Sequence, residues 1–462
     1  MLPIDPWLTA AVAADVWRAS QSDARVLADR QARRLARLFA VAAKGSRLYR
    51  ERLPAAALGA DPRLEGLPPI GKAELMARFD DWVTDQALNL GELRRFTRDS
   101  RRIGEPFLGR YAVWESSGST GEPGIFVQDR HAMAVYDAIE SVRRPAPSLW
   151  HRLLDPWLMS ERIVFLGATG GHFASVVSVE RLRRLNPALA SRVHSVSFLR
   201  PIDEMLDETQ QCRPTVIASY PSAALLLAQA QQEGRLRLNL REVWTGGENL
   251  TPAMRHGIEQ GLGCPVRNSY GASEFLPMAA ECRLGQLHLN TDWLILEPVD
   301  EQGRPVPPGC RSASTWLTNL ANHVQPLIRY DLGDQITFAT EPCICGSPLP
   351  VIDIQGRRDD TLQLAGHGRR RVPVLPLAIT TVLEEDAGLF DFQLRQRGPR
   401  DLLLSTGRRG ADVTQQLRTA RHALEGFLLT QGVPEVHIQC RSGQPGRRGR
   451  SGKVLRVVAG SD

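Results

Sequence analysis

Glu115-Ser-Ser-Gly-Ser-Thr-Gly-Glu-Pro-Gly124 packs four hydroxyls and three glycines into ten residues. It follows Tyr111-Ala-Val-Trp114, an apolar run that reads as a short strand entering a turn. Glycine lets a backbone approach a ligand closely and turn its N–H groups inward, and Ser and Thr add hydroxyl donors. Such a loop suits a polyanion, above all a phosphate chain. It is not a Walker A loop, because no Lys-Ser or Lys-Thr follows the last glycine at the required spacing. Nor is it a nucleophile elbow, since Ser117 stands two residues before Ser119, where that motif requires glycine. Taken alone, a polar surface turn is the simpler reading.

The 462 residues suffice for one very large domain or two to three ordinary ones. Hydrophobic content of 42% and charged content of 23% are those of a soluble globular protein. The formal charge of +6 suits anionic ligands such as nucleotides or coenzyme A as well as nucleic acid. No basic stripe is interleaved with aromatics, so nucleic acid is not an expected partner. No apolar run approaches the ~20 residues that span a bilayer, and Met-Leu-Pro-Ile-Asp-Pro has no signal-peptide pattern. Seven cysteines, odd and sparse, point to a reducing, cytoplasmic setting.

Residues 7–50 carry apolar positions at a helical period, with arginines on the other face. Beyond the loop, buried-strand runs alternate with helical spans: Ile125–Val127, Ile163–Leu166, Thr215–Tyr220, Glu242–Thr245 and Val266–Tyr270. That alternation predicts a mainly parallel, doubly wound sheet, with ligands at the carboxyl ends of its strands. From His288 to residue 355 the texture turns β-rich, with Pro/Gly turns. The last hundred or so residues read as a βαβ-like module with a helix near 411–430 and a basic end, Arg441 to Arg456.

Five stretches stand in order: Ser116-Ser-Gly-Ser-Thr-Gly-Glu-Pro123, Asn268-Ser-Tyr-Gly-Ala-Ser-Glu274, Arg329-Tyr-Asp-Leu-Gly-Asp334, Gly356-Arg-Arg-Asp-Asp360 and Gly449-Arg-Ser-Gly-Lys-Val454. The set resembles the adenylate-forming enzymes, which include acyl-CoA ligases, nonribosomal adenylation domains and luciferases. Gly45-Ser-Arg-Leu-Tyr-Arg50, Leu67-Pro-Pro-Ile-Gly-Lys72 and Pro342-Cys-Ile-Cys-Gly346 look most like the phenylacetate–CoA ligase branch. The resemblance implies an α/β protein with a large N-terminal domain of doubly wound sheets over residues 1–355. A β-rich subdomain occupies about 288–355, and a small, mobile α+β C-terminal domain covers 356–462. The implied activity is ATP-dependent activation of a small carboxylic acid, with Mg²⁺, followed by acyl transfer to a thiol. Coenzyme A is the first choice of thiol and an acyl carrier protein the alternative. A non-catalytic nucleotide- or acyl-binding protein of the same fold, and a homodimer, stay open.

The resemblance also assigns roles. Ser116, Ser117, Gly118, Ser119, Thr120 and Gly121 would wrap the β- and γ-phosphates. A lysine often follows the proline in the family, whereas this chain has Gly124. Tyr270 would stack on adenine, Ser273 would touch the α-phosphate and Glu274 would hold Mg²⁺, a hard cation suited to carboxylate. Gly247, Glu248, Ser269 and Gly271 complete the nucleotide set. Asp334 would take the ribose hydroxyls, with Arg357 reaching ribose or phosphates. Asp359 would be the hinge, and Lys453 the catalytic lysine that bridges carboxylate and α-phosphate. Each has a plainer reading: a strand-end aromatic for Tyr270, a Gly-Asp turn for Asp334, a solvated basic tail for Lys453.

Cys282, His288, Cys343 and Cys345 make a complete tetrahedral set for a structural Zn²⁺ if they meet; buried or free thiols are an equal alternative. The acid pocket is expected among the Gly167–Ala174 turn, Tyr220, the Gly246-Gly247-Glu248 turn and Ala272. There His172 and Phe173 would pack an aromatic ring or orient a carboxylate, with a core or turn histidine an equal reading of His172. The small residues leave room for a ring, so an aryl or arylacetic acid is the first expectation and a short or unsaturated acyl chain the alternative.

Overall fold

The computed structural model describes residues 5–54, 63–116, 123–144, 161–355, 361–367, 370–444 and 456–459. The strand–helix alternation builds the parallel half of a nine-stranded sheet. From its edge inward this half runs Val193–Ser197, Ile163–Gly167, Val216–Ser219, Glu242–Thr245 and Val266–Ala272. Side chains alternate across a strand. Val164, Ile217, Val243 and Val266 therefore share a buried face with the helices Pro221–Gln232 and Pro252–Leu262. Phe165, Ala218 and Trp244 stand side by side on the other face. The second helix shows its sequence signals directly. Pro252 opens it, Thr251 Oγ1 accepts the Met254 N–H at 3.2 Å, and Gly263 ends it at φ 67°.

The sheet continues where the parallel strands end. Val266–Ala272 turns through Ser273 and Glu274 into Phe275–Glu281, and the pairing becomes antiparallel. Leu287–Leu289, Val351–Gln355 and Gln335–Phe338 extend it to the far edge. The stretch expected to form its own β-rich unit is thus divided. Only Leu294–Val299, Ser314–Asn319 and Leu327–Asp331 make a separate three-stranded sheet. Antiparallel neighbours need only a tight turn, where parallel ones need a crossover, so the main sheet can grow without further helices.

The amino-terminal helices close one side. Pro6–Ser20 packs on Arg130–Arg143, and Ala24–Gly45 buries Leu35, Leu38, Phe39 and Ala42. Trp82 and Trp114 lie fully inside the same core.

The C-terminal module begins with the hairpin Leu362–Ala365 and Arg371–Val374, followed by the helix Pro376–Glu385. A four-stranded sheet follows, in which Asp401–Thr406 and His437–Ser442 are parallel and joined by Ala411–Thr430. That is the βαβ-like unit the sequence predicts. One apolar cluster runs from the parallel sheet into this module. Arg370 pairs with Asp203 at 2.9 Å, and Gln431 Nε2 donates to the carbonyls of Leu199 and Arg200 at 2.7 and 2.8 Å. Among the described residues, no helix is long and apolar enough to cross a membrane.

Candidate active site

The carboxyl ends of the parallel strands and the turn at Ala272–Glu274 open into a cavity of about 1940 Å³. Ser116 lies on its wall, as do Gly247, Glu248, Ser269, Tyr270 and Gly271. Ala272, Ser273, Glu274 and Asp334 line it too, with Phe173 and Tyr220. Ser117, Gly118, Ser119, Thr120, Gly121, Arg357, Asp359 and Lys453 lie outside the described residues.

The Ser/Thr/Gly loop is closed at its neck. Ser116 N–H donates to the Gly124 carbonyl at 2.8 Å, and Ser116 Oγ accepts the Gly124 N–H at 2.9 Å. The antiparallel strands Ala112–Glu115 and Ile125–Gln128 carry the two ends. Trp114 ties this hairpin to the second motif, donating Nε1–H to the Ser273 carbonyl at 2.8 Å.

The second and third motifs meet across the cavity. The Tyr270 hydroxyl donates to Asp334 Oδ2 at 2.8 Å, so its ring is fixed in the wall by its polar end. Burial pushes the Glu274 carboxyl above the usual carboxylate range; a Tyr330 hydrogen bond and the nearby Lys72 charge pull it back. A carboxylate on the cavity wall is the ligand type that a hard divalent cation takes, and Glu274 would hold it. Close approach shapes the turn: a Cβ on Gly271 would stand 1.8 Å from the Leu276 carbonyl oxygen. Gly247 adopts φ 77°, and a Cβ there would stand 2.8 Å from the Tyr220 ring, so only glycine is unstrained.

Sequence reasoning passed over Lys72. Ile70 N–H donates to the Arg329 carbonyl and Asp331 N–H to the Ile70 carbonyl, both at 3.0 Å, which brings Lys72 to the cavity. Its Cδ lies 3.1 Å from where a Cβ on Gly124 would stand. The lysine absent from position 124 thus has a lysine from another element in the same space. The signal was in the sequence as Leu67-Pro-Pro-Ile-Gly-Lys72, but only as a stretch that marks the branch resembled, with no role attached to the lysine.

The apolar part of the cavity has Phe165, Ala218 and Trp244 as its floor, with Arg144 stacked 3.8 Å from the Trp244 ring centroid. Glu248 accepts from Ser222 N–H at 3.0 Å and Ser222 Oγ–H at 2.9 Å, capping the helix behind the floor. Phe173 and Tyr220 face this region, whereas His172 is turned away. Its ring packs 5.3 Å from Phe96, and burial lowers its pKa. What His172 supplies is its carbonyl, which accepts the Glu115 N–H at 2.8 Å.

A second constellation lies behind the antiparallel strands. Cys282, His288, Cys343 and Cys345 place their ligand atoms within 4.8 Å of one another. Cys282 and Cys343 sulfurs are 4.0 Å apart, and Cys345 Sγ is 3.4 Å from His288 Nε2. Tetrahedral Zn²⁺ sets sulfurs about 3.8 Å apart. His288 Nδ1 faces the Leu349 carbonyl at 2.7 Å, which leaves Nε2 as the lone-pair nitrogen. Backbone N–H groups of Leu284, Cys345 and Ser347 point at the three sulfurs at 3.4, 3.5 and 3.4 Å. Such donors favour thiolates, and the donor set fits the metal.

Residues 116–312 match the AMP-binding enzyme family. A phenylacetate–coenzyme A ligase of Thermus thermophilus is 31% identical over 286 residues, 59% of each chain. Protein CapK of Staphylococcus aureus is 26% identical over 160 residues, 34% of each chain. The chain thus spans less than two thirds of the length of these curated relatives. A 2-hydroxyisobutyryl-CoA ligase, solved with its acyl-AMP and CoA, superposes with a TM-score of 0.58 at 20% identity, covering 96% of this chain and 91% of that one. The chain is thus similar to AMP-binding enzymes over residues 116–312 and to a phenylacetate–coenzyme A ligase over 59% of its length, and it shares the fold of the solved 2-hydroxyisobutyryl-CoA ligase.

Proposed function

We propose that the protein activates a carboxylic acid with ATP and Mg²⁺, releasing pyrophosphate, and passes the acyl group to coenzyme A. The observation that carries this is the convergence of Ser116, Gly247, Tyr270, Glu274 and Asp334 on one cavity that continues over an apolar floor. A carboxylate is a poor acylating agent because its leaving group would be oxide. Linking it to AMP supplies a good one, and positioning with charge neutralisation does most of that work.

Ser116 and the loop after it hold the β- and γ-phosphates. Asp334 accepts from the ribose hydroxyls. Glu274 holds Mg²⁺, which neutralises phosphate charge, and Lys72 adds a fixed cation beside it. Lys453 bridges the acid and the α-phosphate, Arg357 reaches the ribose, and Asp359 is the hinge on which residues 356–462 turn. Phe165, Ala218 and Trp244 form a flat floor, which suits an aryl or arylacetic acid. The Cys282/His288/Cys343/Cys345 set holds one structural Zn²⁺. None of the seven cysteines is paired in a disulfide, and a reducing cytoplasm is the setting proposed.

The test is acid-dependent exchange of labelled pyrophosphate into ATP over a panel of aryl and alkyl acids. We expect exchange with at least one aryl acid and a fall of about 100-fold or more in Lys453→Ala. Acid-independent behaviour, with Lys453→Ala equal to wild type, removes the reading.

A further inference from the structure

The two motifs at the centre of the cavity exchange tyrosines. Asn268–Glu274 supplies Tyr270 and Glu274, and Arg329–Asp334 supplies Tyr330 and Asp334. Tyr270 donates across the gap to Asp334 at 2.8 Å. Tyr330 lines the same cavity wall as Glu274 and is a hydrogen-bonding partner of that carboxyl, from the third motif to the second. Each phenol serves the other motif's carboxylate.

The backbones of these residues are pinned separately. Asn319 Nδ2 donates to the Glu274 carbonyl at 2.9 Å, and Thr315 Oγ1 donates to the Asp334 carbonyl at 2.8 Å. The tyrosines are therefore not needed to hold the chain; what they fix is the carboxylate rotamers. Tyr330 is itself aimed by its neighbour. Arg329 sits at φ 53°, rare for a residue with a Cβ, and its guanidinium holds Glu297 at 2.6 Å and the Leu67 carbonyl at 2.6 Å. Side-chain order at this site thus extends outward from the cavity to a strained backbone position.

Neutral donors suit this task. An arginine or lysine in place of either phenol would neutralise the carboxylate and compete with its ligand. A phenol occupies one acceptor position and leaves the negative charge in place. We infer that Tyr330 and Tyr270 are a crossed pair of positioning residues, Tyr330 aiming Glu274 at the cation and Tyr270 aiming Asp334 at the ribose diol. This rests on the nucleotide reading given above. It separates two properties that a merely structural tyrosine would change together: response to the cation and preference for ribose.

The experiment is calorimetric binding, with no turnover, to wild type, Tyr330→Phe, Tyr270→Phe and Tyr330→His. The probes are AMP, 2′-deoxy-AMP and a non-hydrolysable ATP analogue with and without Mg²⁺. Tyr270→Phe is expected to reduce the preference for AMP over 2′-deoxy-AMP by about tenfold and to leave the Mg²⁺ enhancement unchanged. Tyr330→Phe is expected to do the reverse, and Tyr330→His, which restores a donor, to recover part of the Mg²⁺ enhancement. Phenyl variants that match wild type in both ratios, or that each change both ratios equally, overturn the crossed assignment. A wild-type protein that binds neither AMP nor the analogue sinks the nucleotide reading itself, an outcome distinct from failure of the brace.

Discussion

At the scale of single residues, Lys72 is the clearest case of information that local sequence did not display. Glu274, Asp334 and Ser116 were legible as candidates because each sits in a stretch that resembles a motif of the adenylate-forming enzymes, and all three line the cavity. Lys72 begins a short helix on the far side of the chain and reaches the cavity only because Ile70 pairs with the Arg329–Asp331 backbone. His172 went the other way: a histidine beside a glycine turn reads as a ligand contact, yet its ring is taken by Phe96. Neither fact follows from pattern, since both depend on contacts between residues far apart in the chain. If Lys72 does the work of the missing lysine, Lys72→Ala lowers pyrophosphate exchange by about 100-fold. Gly124→Lys then restores part of it in the Lys72→Ala background, where the Lys72 side chain no longer competes for the space. The same Gly124→Lys change alone is expected to be harmful, because Lys72 and Phe126 already stand at 3.1 and 3.0 Å. Exchange rates of the three variants decide the matter.

At the scale of elements, strand and helix identities from 163 to 272 were readable from alternation and caps, with boundaries close to those observed. Strand partnership was not. Leu287–Leu289 pairs with Val351–Gln355, and the loop that leads from Gln335–Phe338 into Val351–Gln355 supplies Cys343 and Cys345. Composition marks all these strands as β-rich without saying which sheet each joins, because pairing is decided by register rather than by residue type. The cysteine spacing matched no standard finger pattern for the same reason: the site is assembled by sheet pairing, not by one contiguous turn. Protein purified without chelator is expected to carry about one zinc per chain by inductively coupled plasma mass spectrometry. Cys343→Ser with Cys345→Ser should empty the site and lower the melting temperature. Zinc-free protein with the melting temperature of the metal-treated sample would refute the assignment.

At the scale of the whole molecule, the C-terminal module sits over the cavity mouth, and Glu385 is its most informative contact. Its Oε1 stands 2.3 Å from where a Cβ on Gly171 would be, so the module reaches the Gly170–Gly171 turn. Desolvation there, with Asp386, Glu115 and Glu384 adding like charge, raises the Glu385 carboxyl to about 7. The sign follows from linkage: a raised carboxyl favours the docked arrangement when protonated. The contribution is complete below the ordinary glutamate range and is lost as pH rises through about 7. Small-angle scattering should show the radius of gyration growing between pH 6 and 8 in wild type but not in Glu385→Gln; equal profiles would remove Glu385 from this role. The leucines shared between module and sheet add a further condition. A module that swung free would wet them and be penalised by hydration, so any turning at 356–360 has to exchange one greasy seat for another. The motion would then resemble a toggle between two latched poses, with little change in heat capacity from end to end.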